Sequence, residues 1–162
     1  MKRVVFVVML CVGTVAAIQA PAFAASTFRG VSGAMDGPNL LVTFKETGLQ
    51  PGQNYAYIAA GTYTETFVCY RDRTFTPTHK TATLSGAAGQ DPRVYTANDR
   101  GVVRGSVSLW PYGPWPRFCP AHRSEVPVSI CYQPTDLVDF ADPFDVYWFP
   151  DGTTICGPIE PD

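Results

Sequence analysis

Val102-Val103-Arg104-Gly105-Ser106-Val107-Ser108-Leu109-Trp110 is the stretch that decides the fold class. Val103, Gly105, Val107 and Leu109 alternate with Arg104, Ser106 and Ser108, and a period of two places each set on its own face of an extended chain. A helix would need an apolar stripe at i, i+3, i+4 and i+7. No eleven-residue window beyond residue 25 offers that stripe free of Pro or Gly. Working outward, Thr78 to Ala87 alternates Thr with small apolar residues, while Gln90 to Gly101 is polar and turn-forming. Further strands are expected over Phe28–Ala34, Leu40–Phe44, Asn54–Tyr70, Val126–Gln133, Leu137–Phe140, Asp145–Phe149 and Thr153–Cys156. Gly48-Leu49-Gln50-Pro51-Gly52 is a turn, and Ala60-Gly61 is expected to bend or divide the long third strand. Short strands joined by turns predict an all-β fold, an immunoglobulin-like two-sheet antiparallel sandwich.

The sequence ahead of that fold reads as processed. Lys2 and Arg3 precede the apolar run Val4–Ile18, and Ala22-Phe23-Ala24 places small residues where a signal peptidase reads them. Residues 1–24 are expected to be a signal peptide, leaving residues 25–162 as one secreted domain that begins at Ala25. Leu10 is too large for a lipoprotein signal at Cys11, and no later segment is long and apolar enough to span a membrane. Hydrophobic residues at 46% suffice for a core. Charged residues at 16% argue against a disordered tail, a coiled coil or a charge-driven nucleic-acid binder. The product is therefore expected to be extracellular and monomeric, with neither nucleic acid nor membrane as a partner.

Loss of the signal leaves Cys69, Cys119, Cys131 and Cys156. An even number in an exported chain predicts two disulfides, in any of three connectivities. His79 and His122 stand at no zinc-ligand spacing from a cysteine, and neither a metal nor a cofactor is expected.

Asn39–Leu49, Thr66-Phe67-Val68-Cys69, Phe118-Cys119-Pro120 and Val128–Tyr132 resemble segments of a group of uncharacterised secreted proteins found mainly in actinobacteria. The resemblance covers roughly residues 38–140. It departs at Ala121, where that group has Pro, and in the additional Cys131 and Cys156. It implies an immunoglobulin-like sandwich with no known activity. Because the group has counterparts of Cys69 and Cys119 alone, it also implies Cys69–Cys119 as one bridge and Cys131–Cys156 as the other. Gly48–Tyr55 is similar, as a turn followed by a strand, to the apoproteins of enediyne chromoproteins, which hold a small ligand.

No catalytic residue is assigned. Ser85 lacks the first Gly of a nucleophile elbow, and His122, Ser124 and Glu125, the one local trio of usable types, fall in a polar turn. Asp136, Asp139, Asp142, Asp145 and Asp151 belong to a final stretch, residues 136–162, with net charge −7, whereas residues 25–135 carry +3. These carboxylates lack the order of a calcium loop and are expected to form a solvated edge or to face the chain's own arginines. Asp145–Phe149 and Thr153–Cys156 flank Pro150-Asp151-Gly152 and predict an acidic C-terminal hairpin, held by Cys156 and by burial of Phe144, Val146, Trp148 and Phe149.

The candidate binding surface is the stretch Trp110–Phe118, where prolines enforce an extended loop. Trp110, Tyr112, Trp115 and Phe118 would offer flat faces to a sugar or a protein, with Arg117 as a polar handle; buried, they would plug one end of the sandwich. Without a catalytic motif, the expected function is a non-catalytic extracellular binding module for a glycan or protein ligand. A small hydrolase with a site assembled from distant residues is the alternative, and a structural or stress-related domain a third.

Overall fold

The computed structural model describes residues 25–71, 76–113, 118–141 and 145–159, with the backbone alone at His79. Residues 1–24, read above as a signal peptide, lie outside them, as do Trp115, Arg117, Asp142 and Phe144. The described residues form strands and no helix: β1 (Thr27–Asp36), β2 (Asn39–Thr47), β3 (Asn54–Arg71), β4 (Pro77–Gln90), β5 (Arg93–Thr96), β6 (Val102–Pro111), β7 (Arg123–Asp139), β8 (Val146–Trp148) and β9 (Ile155–Pro158).

All pairings are antiparallel. The strands join in one curled sheet of order β1-β2-β6-β4-β3-β7-β8, with β5 added to β3 and β9 to β7. β4 makes the curl. Its stretch from Pro77 to Ala87 pairs with β3, and then Ala88–Gln90 leaves to pair with β6. β5 occupies the side of β3 that β4 vacates, opposite Asn54–Tyr57. This strand falls inside Gln90–Gly101, read as turn from sequence. It is short and largely exposed, so no alternation marks it.

The alternation in β6 is realised: Val103, Val107 and Leu109 are buried, and with Leu40, Val42 and Phe44 of β2 they line one arm of the curl. Tyr57, Ala59, Tyr63, Ile130, Tyr132 and Leu137 line the other, and a single hydrophobic core joins both. The Phe44 and Tyr57 rings meet across it with centroids 4.4 Å apart. Buried tyrosines reach backbone oxygens at the rim: the Tyr132 hydroxyl donates to Pro38 O at 2.8 Å and the Tyr63 hydroxyl to Tyr112 O at 3.1 Å. A ring thus fills the core while its polar tip stays hydrogen-bonded.

Both disulfides form, Cys69–Cys119 and Cys131–Cys156. The expected C-terminal hairpin does not. β8 and β9 each pair with β7, end to end along the same edge, and Cys156 stands directly opposite Cys131 in that ladder. Pro134 explains the break between them. It sits inside β7 and has no N–H to donate, so the edge strand lifts away beside it and returns at Ile155. The two strands expected either side of Pro134 are in fact one, because a bulge absorbs Thr135 where β3 steps from Ala60 to Gly61. β3 likewise runs through Ala60-Gly61 undivided.

Candidate functional site

Of the proposed aromatic surface, Trp110 is half-buried, and its indole lies over Gly89 of the neighbouring strand. Tyr112 stands out at 72% exposure. Phe118 is 38% exposed and packs on Phe67, ring centroids 6.2 Å apart. Glu125 fixes the end of that loop, its Oε1 accepting from the N–H groups of Phe118 and, at 2.7 Å, Cys119. Glu125 Oε1 is thereby committed to backbone, and His122 is an exposed side chain on a left-handed turn residue (φ 65°). Of the three, Glu125 anchors the loop beside the Cys69–Cys119 disulfide.

A concavity of about 670 Å³ runs along Cys119 to Glu125, and a second opens where the edge strand lifts off Pro134. A groove of about 500 Å³ is bounded by Thr62, Gln133, Pro134 and Thr135 on one side and by Trp148 to Thr153 on the other. Each wall follows from the local sequence. The Phe149 N–H donates to Thr135 O at 3.0 Å, holding the lifted segment to the bulge. Pro150 and Gly152 (φ 78°) turn the chain, and the Thr153 N–H and hydroxyl both donate to Pro150 O, at 3.0 and 2.7 Å. Because Phe149 is buried, its neighbour Trp148 must face outward, and it is 67% exposed. The expectation that Trp148 would be buried is therefore corrected. Exposed Thr62, Gln133, Thr135 and Asp151 line the same groove as Trp148, supplying hydroxyls, an amide and one carboxylate.

Gly61 keeps the groove in shape. A Cβ there would stand 2.8 Å from Gln133 O and 2.9 Å from Pro134 Cα, both backbone atoms of the bulge. Gly61→Ala should cost about 1–3 kcal/mol by overpacking. Urea denaturation would check this, and a cost near zero would mean that the bulge yields freely.

A second polar group lies inside the core. Glu46, on β2, and Asp139, on β7, are fully buried; Asp145, just before β8, is half-buried. Asp139 Oδ1 accepts from the Ala141 N–H at 2.9 Å. The acidic quarter was expected to form a solvated edge or to face arginines; instead two of its members turn inward towards Glu46. Burial pushes the Glu46 carboxyl up to about 8, and its interactions with Asp145 and Asp139 push the same way, against the Tyr57 hydroxyl. Tyr57 is raised by burial and by Glu46. Glu65, buried on β3, is raised by burial alone. Among the described residues no group of three His, Cys, Asp or Glu is arranged to hold a metal ion.

The sequence carried a signal for both buried glutamates. Leu40, Val42 and Phe44 continue with period two to Glu46, as Tyr63 continues through Glu65 to Phe67. No protein-family model, curated protein or solved structure matches this chain.

Proposed function

We propose that the protein is an extracellular binding module and that the groove at Trp148 is its ligand seat, for carbohydrate. The exposure of Trp148 at the groove wall carries this reading. A large indole left in water beside hydroxyl, amide and carboxylate groups suits a sugar, whose C–H face stacks on the ring while its hydroxyls meet the polar rim. The reading is of binding without catalysis. Secretion through residues 1–24 accords with two disulfides and with the lack of any helix long and apolar enough to cross a membrane among the described residues. We read the curled sheet as an immunoglobulin-like sandwich, because its two arms share one core, and the protein as a monomer.

Screening the protein on a glycan array at pH 5, then titrating the best oligosaccharide against tryptophan fluorescence, tests the proposal. Trp148→Ala should weaken binding at least tenfold, and Tyr112→Ala should leave it unchanged. Absence of any glycan binding would refute it. Loss of binding in Tyr112→Ala with Trp148→Ala intact would move the seat to the Trp110–Phe118 loop.

A further inference from the structure

Glu46 is a costly residue for its position. It is fully buried, with no hydrogen bond completed at either oxygen, and the Tyr57 hydroxyl and Asp145 Oδ2 are buried in the same condition. An ionised, unsatisfied carboxylate would be strongly disfavoured there, so the site is tolerable with a proton on it. The groups facing Glu46 leave that proton uncontested. β3 presents Tyr57, with Tyr55 further along the strand, and β5 presents Tyr95, in ring contact with Tyr57. β7 and the segment before β8 present Asp139 and Asp145. The flanking strands place Phe28 and Val103 opposite Glu46, while Arg29 and Arg104 are exposed. Two carboxylates and phenols meet the position, and no cation among these neighbours offsets them.

The elements so joined are unequal. β2 is tied to β1 and β6 along nearly its whole length, whereas β8 holds β7 by only three register pairs, Asp136–Trp148, Leu137–Tyr147 and Val138–Val146. Asp145 adjoins the first of these residues, and Trp148 is the last. We propose that Glu46 and Asp145, with Tyr57 and Asp139, form a proton-dependent clasp: protonated Glu46 holds the β7–β8 edge against β2, and its ionisation releases β8 and with it the Trp148 wall of the groove. That this release would discharge a ligand rests on the groove reading above; the clasp does not. With the proton present, Glu46 would donate to Asp145 and accept from the Tyr57 hydroxyl, satisfying the buried atoms that otherwise lack partners. With it lost, Glu46 and Asp145 repel, and the short β8 is the part that can yield.

Amide hydrogen exchange across pH 5–9, corrected for intrinsic rates and done without ligand, tests the clasp. If opening returns Glu46 from about 8 towards its ordinary 4.5, protection of the Phe149 N–H should fall about tenfold per pH unit, roughly a hundredfold from pH 5.5 to 7.5. The β2–β6 ladder, which opens only with the whole fold, should stay better protected than the Phe149 N–H at every pH. Glu46→Gln should flatten the dependence, and Glu65→Gln should keep it. A flat wild-type profile, or the same slope in Glu46→Gln, overturns the proposal. Should Glu46→Gln fail to fold, the carboxyl ¹³C shift of wild-type Glu46 decides: a midpoint near 8 supports the clasp, and one near 4.5 overturns it. Glycan binding at a fixed pH 5 is a separate measurement, so either idea can fail alone.

Discussion

Raising the pH from 5 to 8 is expected to remove on the order of 4 kcal/mol of folding stability, most of it through Glu46. The folded-state value of that carboxyl, about 8, lies above its ordinary 4.5, so between the two the native state binds a proton that the unfolded chain has lost. Stability then falls with rising pH, by about 1.4 kcal/mol per unit for one such group. The contribution is complete below about 4.5 and gone once the pH passes about 8. Glu65, raised by burial, adds to the fall in the same direction. Tyr57, Tyr63 and Tyr132, all raised, extend it into the alkaline range. Urea denaturation at half-unit pH steps measures the slope. Glu46→Gln, neutral at every pH, should match the wild type near pH 5 and exceed it by a few kcal/mol at pH 8. A wild-type stability that holds level or rises between pH 5 and 8 would show that Glu46 is ionised in the fold.

Local regularity is what sequence transmits, and this molecule shows both its reach and its limit. Strand alternation in β2, β3 and β6 is a local property, so the all-β class and the inward residues Val42, Phe44, Tyr63, Val103 and Val107 could be read directly. The same alternation runs through Glu46 and Glu65 and places them inward, against the ordinary preference of a carboxylate for water. The groove was hidden from such a reading. It depends on β8 and β9 choosing β7 over one another, and Pro-Asp-Gly between two apolar runs favours a hairpin until the neighbouring edge is known. That choice rests on Cys131 and Pro134, far back in the chain. Facing is equally non-local at the end of β8. Trp148 and Phe149 point opposite ways, and which one is buried depends on the sheet they meet. β5 escaped because a four-residue exposed strand carries too few positions to display a period.

Ending the chain at Asp136 should abolish cooperative folding at 25 °C. The deletion removes Leu137, fully buried against the core, and Phe149, 9% exposed, along with the half-buried Tyr147 and Ile155 packed beside them. Losses of about 2–5 kcal/mol for the leucine and 3–5 kcal/mol for the phenylalanine are usual for buried side chains cut back to Ala. The Cys131–Cys156 bridge goes too, closing a separation of 25 residues and worth about 3.5 kcal/mol by chain entropy. These losses together are comparable to the roughly 5–15 kcal/mol that holds a domain of this size. What remains would also bare the β7 edge from Ser129 to Asp136, an unpaired ladder open to association with other chains. The paired substitution Cys131→Ala/Cys156→Ala in the full chain isolates the bridge. It should cost about 3.5 kcal/mol and keep a single thermal transition, because Leu137 and Phe149 remain in place. Near-UV circular dichroism and thermal melts of the two proteins distinguish the outcomes. If the shortened chain melted cooperatively within a few degrees of the full one, the core would be complete without this edge, and β8 and β9 would be an appendage that serves the groove alone.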